Sequence, residues 1–493
     1  MNKQLKVVTR TVFLMFIALF FSVTMIQVVN AESLRANPAN QRTTMNSFNI
    51  ERGAIVVGGD PVALSEPSGD AFKFQRVYNA GDMYTPITGS FSRNQGATGI
   101  EQSMNLPLSG TGSSQLLTRL TRIVSGQPPQ GSSVELTINP AVQQAAYEAM
   151  AGLEGAVVAI EPKTGKILAL VSTPSYDANL LASNDEAEII ANYKALNDDP
   201  NRPLLNRAIA GDLYHPGSTY KLISAAAAIE SGEYTAASTF PNPAKLTLPG
   251  STAVMQNASR TTCGTGDKVT LETAIVQSCN IPFAELASEM ELNQIPEMAE
   301  AFGFGRDLEI PTIVTPSIAP VPEDQAGAAL SSIGQLDVRS TPLQMAMVAA
   351  GIANGGSVMT PQLVETVLAP NLSTETAFKE QEFSRPISEK TAKTLTDMMT
   401  KTVSDPAGTA HLAEIPGVAV AGKTGTAENG TDENGNDLPF TLWFTGFAPA
   451  NDPEIAVAVA VADGGGAAHN NEASSYELTT AIGKRVMEAV FGQ

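Results

Sequence analysis

Apolar positions along this chain fall into three textures. From Thr11 to Val29 they are nearly continuous (Phe, Leu, Ile, Val, Met) with no charged side chain. A helix of that length rises about 28 Å, close to the hydrocarbon thickness of a bilayer. From about residue 33 to 154 the pattern is turn-rich and weakly periodic. It has short β-like runs near Gly53–Val57 and Phe72–Tyr78, then a Gly/Ser/Pro-rich stretch from Leu106 to Ser133. One helix closes this region, with Asn139 as N-cap, Pro140 at the first helical position, and Val142, Ala146 and Met150 on one face.

At Gly155 the texture changes. Ala156–Ile160 and Lys166–Val171 read as strands joined by a turn at Pro162-Lys163-Thr164-Gly165. Helical periodicity follows over Ser218–Ser231, Leu271–Met290 and Thr341–Asn354. Strand patterns then return at Val418–Ala421 running into Lys423–Ala427, at Leu442–Ala448 and at Ile455–Ala462. Strands at both ends of a helical middle predict an α+β domain, in which one antiparallel sheet is closed by segments distant in sequence and flanked by helices. The acidic stretch Glu428–Asp437 lies between two strands and reads as an exposed loop. The expected divisions are therefore 1–32 (cytoplasmic stub and anchor), 33–154 (a smaller β-rich module) and 155–493 (the α+β domain).

Charge refines the N-terminus. Lys3, Lys6 and Arg10 precede the apolar run and Glu32 follows it, which puts the N-terminus in the cytoplasm and the body outside. Length and flanks favour a retained anchor over a cleaved signal peptide, for which Val29-Asn30-Ala31 would be the cleavage site. Acidic residues outnumber basic ones 50 to 30, a net charge of −20, and no basic run offsets them. That argues against nucleic-acid partners and against a polybasic membrane patch. Cys263 and Cys279 are either a disulfide of an exported protein or two small buried hydrophobes. His215, His411 and His469 are scattered, so neither a metal nor another cofactor is expected.

Three short motifs carry candidate chemistry. Ser218-Thr219-Tyr220-Lys221 follows Pro216-Gly217 and opens the apolar run Leu222–Ile229, which puts it in the first turn of a helix. At a spacing of three, Ser218 and Lys221 share a face. A serine hydroxyl needs an adjacent base, and a lysine can serve only if its pKa is lowered by burial or by the positive end of the helix dipole. Ser278-Cys279-Asn280 offers a hydroxyl that could relay a proton and an amide that could hold a carbonyl. Lys423-Thr424-Gly425-Thr426 lies on a strand, where Gly425 allows close approach and the flanking lysine and hydroxyls suit a carboxylate. Each alone is weak: a capped helix with a solvated lysine, a polar helix break and a strand-end turn explain them equally well.

Order changes that balance. S-x-x-K, then S-x-N about 60 residues on, then K-T-G about 140 further, is the motif set of penicillin-binding proteins and serine β-lactamases. Asn206-Arg207-Ala208-Ile209, Thr341-Pro342-Leu343-Gln344 leading to Asn354-Gly355-Gly356, Trp443-Phe444-Thr445-Gly446-Phe447, and Arg52-Gly53-Ala54-Ile55 resemble segments of the class B penicillin-binding proteins. The resemblance covers nearly all of the chain outside the anchor and is nearest the actinobacterial PbpA-type subgroup. It implies a penicillin-binding transpeptidase domain over 155–493 and a pedestal or dimerisation-like module before it.

The same resemblance implies roles. Ser218 would attack the carbonyl between the terminal D-alanines of a peptidoglycan stem peptide, and Lys221 would take its proton. Ser278 would pass a proton to the leaving D-alanine, and Asn280 would hold the peptide. Lys423, Thr424 and Thr426 would engage the terminal carboxylate, with the N–H groups of Ser218 and Thr426 as oxyanion hole. β-Lactams would trap Ser218, and a glycosyltransferase with other wall and division machinery would be the partners. Two features depart from the pattern. His215 stands where relatives often have proline, and reads as a loop residue because position 220 is Tyr rather than the Gly of a G-x-S-x-G elbow. Cys279 sits inside S-x-N, where a bond to Cys263 would pin the motif.

Other readings are weaker. A β-lactamase would need a deacylating glutamate that cannot be placed here. A bifunctional synthase would need a glycosyltransferase domain larger than the roughly 120 residues between the anchor and Gly155. A D,D-carboxypeptidase would use the same motifs with water as acceptor. A non-catalytic β-lactam-binding scaffold or sensor would not be expected to keep Ser218, Lys221, Ser278, Asn280 and Lys423 intact.

Overall fold

A computed structural model of the chain describes residues 2–30, 34, 48–70, 72–112, 115, 126, 130–211 and 213–492. Ala31, Glu32 and much of the Leu106–Ser133 stretch lie outside these residues. The N-terminal helix spans Asn2–Thr24 and continues as a π-helical turn over Met25–Val29, so it includes the basic residues as well as the apolar run. Lys3–Val29 is long and apolar enough to cross a membrane, and its most apolar stretch is not buried by any other described residue.

The larger, C-terminal part of the chain is built on one five-stranded antiparallel sheet. Its order is Ala421–Ala427, Thr441–Ala448, Ile455–Val461, Gly155–Ile160, Ile167–Thr173. The pairing of Ile455–Val461 with Gly155–Ile160 closes the sheet between segments about 300 residues apart, as the strand–helix–strand pattern predicts. Side chains alternate across it. Ala456, Ala458 and Ala460 face one core, and Val457, Val459 and Val461 face the other. The small alanines let the helix Pro342–Ala353 lie close on one face. That helix is apolar on every side and buried from Pro342 to Ile352, because sheet and helices enclose it completely. On the other face the valines pack with Val142, Ala146 and Met150 of Pro140–Ala149 and with Ile482 and Val486 of Leu478–Glu488. Asn139 caps the first of those helices by accepting from the Ala141 and Val142 N–H groups.

The N-terminal region forms a second sheet, ordered Thr374–Ala377, Val364–Leu368, Ser133–Leu136, Ile55–Val57, Asp60–Pro67, Phe74–Tyr78. Two of its six strands thus come from far downstream, within the stretch assigned by sequence to the α+β domain. Thr137 Oγ1 donates to both Ile167 O (2.8 Å) and Gln362 O (2.9 Å), which stitches the two sheets together. Under this sheet Glu101 is wholly buried between two guanidinium groups. Arg52 Nε donates to its Oε2 at 2.5 Å and Arg76 Nε to its Oε1 at 2.6 Å, and the Tyr78 hydroxyl adds a third bond at 3.2 Å. Burial alone would raise the Glu101 pKa, but Arg76 and Arg52 outweigh it and hold the carboxyl below its usual range. This cluster gives Arg52-Gly53-Ala54-Ile55 its physical meaning: Arg52 completes the ion cluster while Ile55 enters the core.

Four sequence expectations change. The strand Asp60–Pro67 is additional, since its exposed face hides the alternation. The ladder at the K-T-G motif starts at Ala421, and Val418 instead bridges Ile415. The helix expected over Ser218–Ser231 begins at Lys221, after a 3-10 turn over Gly217–Thr219. The segment Leu271–Met290 is two helices, Leu271–Val276 and Ile281–Glu289, broken where Ser278 adopts φ +57°. Left-handed backbone is uncommon for a residue with a Cβ, and it costs on the order of 1–2 kcal/mol. A Cys263–Cys279 disulfide and the Cys279 N–H bond to Ala274 O (3.0 Å) hold this break.

Two outcomes are expected. Glu101→Gln, which leaves two guanidinium groups buried around a neutral amide, should lower unfolding stability near pH 7 by about 3–5 kcal/mol in urea titrations of the detergent-solubilised chain. Because the Glu101 pKa is depressed on folding, its contribution is present above the ordinary carboxylate range and lost as pH falls through the lower folded value. The gap between wild type and variant should therefore narrow in acid. Native alkylation followed by mass spectrometry should find Cys263 and Cys279 protected until a reductant is added, and two freely alkylated thiols would contradict the bond.

Candidate active site

Three elements meet at Ser218. The strand Ala421–Ala427 is the edge of the five-stranded sheet, and the turn Gly217–Thr219 runs along it. The contact is close enough to dictate glycine twice. A Cβ on Gly217, whose φ is +54°, would stand 2.7 Å from Thr426 O, and one on Gly425 would stand 3.0 Å from Pro216 O. From the sheet, buried Trp443 donates its indole N–H to His215 O at 2.8 Å, which fixes the chain just before Ser218. The helix break at Ser278–Asn280 supplies the third wall.

Two lysine side chains, both fully buried, converge on that break. Lys221 Nζ donates to Ser278 O (2.8 Å) and to Asn280 Oδ1 (2.7 Å). Lys423 Nζ donates to Ser278 Oγ (2.7 Å) and to Thr424 O (3.0 Å). Burial first, and then the nearby positive charge of Lys423, push the Lys221 pKa well below its ordinary value, while burial lowers that of Lys423 to about 7. Two ammonium groups cannot both be held charged in such a space, so the pair titrates as a unit. A neutral Lys221 amine has two N–H bonds, and its two acceptors use both. Its lone pair stays available for a proton.

The structure brings every sequence-selected residue to this place, with different immediate partners for some. Asn280 is not open on all sides: its amide nitrogen donates to Gln256 O (2.9 Å) while its oxygen receives Lys221. Its backbone N–H, with that of Ile281, binds Asn257 Oδ1 at 2.8 and 3.1 Å. Thr424 Oγ1 donates to Thr409 Oγ1 (2.8 Å), and Thr426 Oγ1 lies 2.9 Å from Ser475 Oγ. Asn257, Thr409 and Ser475 were invisible to sequence reasoning: each sits on a connecting segment with no periodicity and no motif spacing. His215 faces away from any catalytic role. Its Nδ1 is 2.6 Å from Arg339 Nη1, and burial and then Arg339 lower its pKa, which favours a neutral ring.

In front of these groups opens a cleft of ≈ 1430 Å³ that reaches Ser218, Ser278, Asn280 and Thr424–Thr426. It is large enough for an extended peptide. Among the described residues no group of three or more His, Cys, Asp or Glu side chains is placed to hold a metal ion. The cleft thus gathers a serine hydroxyl, two buried amines, a second hydroxyl between them at Ser278 and the hydroxyls of Thr424 and Thr426.

Comparison with known proteins matches this geometry to a family. Residues 155–488 match the penicillin binding protein transpeptidase domain, and residues 52–134 the penicillin binding protein A dimerisation domain. The chain is 41% identical over 471 residues, 94% of each sequence, to the peptidoglycan D,D-transpeptidase PbpA of Mycolicibacterium smegmatis. It is 40% identical over 512 residues, 99% of each sequence, to the enzyme of that name from Mycobacterium tuberculosis. Solved structures of penicillin-binding protein A from M. tuberculosis superpose with a TM-score of 0.86 for the ceftriaxone acyl-enzyme, covering 90% of this chain and 99% of that one at 38% identity. The penicillin G acyl-enzyme gives 0.83, over 90% and 100% of the two chains, also at 38% identity. On the matched domain, the relatives and the shared fold, the chain belongs to the class B penicillin-binding protein transpeptidases.

Proposed function

We propose that the chain is a peptidoglycan D,D-transpeptidase acting through a Ser218 acyl-enzyme, and that β-lactams inhibit it by acylating the same oxygen. The observation that carries the catalytic roles is Lys221, buried, lowered in pKa and hydrogen-bonded only to acceptors on the S-x-N break. Ser218 Oγ adds to the carbonyl carbon of the penultimate D-alanine while its proton passes to Lys221 Nζ. The backbone N–H groups of Ser218 and Thr426 receive the oxyanion, a term worth about 10²–10³ in rate per donor. Collapse breaks the C–N bond, and the leaving nitrogen of D-alanine takes a proton through the Ser278 hydroxyl. The amine of a second stem peptide then attacks the ester, gives up a proton along the same route, and leaves with a new amide bond as Ser218 regains its hydrogen.

Substrate placement follows from the edge strand. Thr424, Gly425 and Thr426 line the cleft beside buried Lys423, a polar lining that suits the terminal carboxylate. Asn280 steadies Lys221 and keeps one amide hydrogen for the peptide. We assign residues 1–32 to the anchor, 33–154 to the non-catalytic module and 155–493 to the transpeptidase domain, with the body outside the membrane. The acyl donor hangs from a glycan strand, so a glycosyltransferase that makes the strand and the surrounding wall and division machinery are the partners this chemistry calls for.

Fluorescent penicillin should label the wild type, and Ser218→Ala should remove the label. Lys221→Ala should slow acylation by about 10²–10⁴ with the fold intact by circular dichroism. With lipid-linked precursor and a partner polymerase, cross-linked dimers should accumulate; free D-alanine without cross-links would turn the assignment to a carboxypeptidase.

The pH dependence has a definite sign. Lys221 must be neutral to accept the proton, so the second-order rate of penicillin acylation should fall as pH drops through the apparent pKa of the lysine pair. The charge of Lys423 helps hold the Lys221 pKa down. Lys423→Ala should therefore move that acid limb to higher pH, besides weakening the reaction. A limb that stays in place would separate the two lysines electrostatically.

A further inference from the structure

One wall of the catalytic cleft is basic in a chain whose net charge is −20. Lys245 and Arg260 line it, both are exposed, and neither side chain makes an ion pair or hydrogen bond among the described residues. The same cleft is also lined by Glu428, Asp437 and Glu472. None of the residues used for the acyl transfer accounts for this division of charge.

Position ties the basic wall to the catalytic centre. Lys245–Thr247 and Val254–Gln256 form a two-stranded antiparallel hairpin in which Lys245 lies directly opposite Gln256. Opposed residues in such a ladder stand about 4.5–5.5 Å apart at Cα. Gln256 O is the acceptor that holds the Asn280 amide, whose oxygen holds Lys221. Lys245 is therefore one strand removed from the group that holds Lys221. Arg260 follows a turn closed by its N–H bond to Asn257 O (2.8 Å), and Asn257 itself anchors Asn280. Both cations are placed by the hydrogen-bond network that places the base.

Resting on the Ser218 acyl-transfer reading, we propose that Lys245 and Arg260 determine donor specificity by binding a second carboxylate of the stem peptide. This carboxylate is carried on a side chain upstream of the D-alanyl end and is distinct from the terminal one held near Thr424 and Thr426. The carboxylates that also line the cleft repel the same group, which leaves the two cations as its place. Peptides amidated at that position lose the contact. An exposed ion pair contributes modestly, and two such cations correspond to a preference of about five- to tenfold.

The test uses the detergent-solubilised full chain and two synthetic stem-peptide thioester donors, identical except for a free carboxylate or a carboxamide on the upstream residue. Wild type should show a kcat/KM about five- to tenfold higher for the carboxylate donor at low salt, falling toward equality at about 0.5 M NaCl as the contact is screened. The double variant Lys245→Gln with Arg260→Gln should lose the preference by slowing the carboxylate donor alone, while its penicillin acylation and carboxamide turnover are unchanged. Lys245→Glu, a single change at an exposed strand position, should invert the preference. Equal use of both donors by wild type, or a preference that survives either variant, would overturn the inference. Absent penicillin labelling of the wild type would instead remove the acyl-enzyme reading on which it rests.

Discussion

The active site depends on keeping two amines in one dry space without two charges. Lys221 and Lys423 approach Ser278 from different elements, one from the helix and one from the sheet edge, and among the described residues no carboxylate pairs with either. Buried ammonium groups are normally paired, because removal from water carries a large penalty. Here the absence of a counter-ion is the device. It drives at least one lysine to its neutral form, which is the form that can take a proton from serine. Everything around the pair serves to keep water out and the acceptors fixed: the close turn at Gly217, the glycine on the edge strand, the left-handed Ser278 and the disulfide behind it.

That arrangement explains why a helix break, rather than a helix, carries the second motif. A continuous helix over Leu271–Met290 would tie the Ser278 carbonyl into its own ladder. Breaking it at φ +57° turns Ser278 O toward Lys221 and Ser278 Oγ toward Lys423, so one residue serves both amines. The energy stored in that backbone is held by neighbours on three sides: Asn257 under Asn280, Cys263 bonded to Cys279, and Asn242, which accepts from Cys263 N–H at 2.7 Å.

Much of this was legible in the sequence, and for identifiable reasons. The order of S-x-x-K, S-x-N and K-T-G marked the centre because three motifs, each weak alone, are jointly specific when they follow in sequence. The terminal strands predicted the sheet because their alternation and apolar runs are long. The exposed strand Asp60–Pro67 was not legible, since its outer positions are mixed. The break within Leu271–Met290 was half legible: Gln277-Ser278-Cys279-Asn280 reads as a polar helix break, but apolar residues on both sides carry the helical period across it, and only the backbone shows the left-handed reversal at Ser278. Asn257, Thr409 and Ser475 act through single hydrogen bonds across large sequence separations, which leave no periodic trace.

The second sheet has a further consequence. Its strands Val364–Leu368 and Thr374–Ala377 are threaded out of the catalytic half, the first paired on Ser133–Leu136 and the second on the first. Chain order therefore draws a border at Gly155 that the hydrogen bonds do not respect. Cutting there would leave Val364–Leu368 with a naked edge and strip Ser133–Leu136 of its neighbour, inviting strand-to-strand association. In evolutionary terms the front module cannot be swapped like a bead on a string. Any recombination that replaces it must also supply an edge that fits a ribbon encoded more than two hundred residues later.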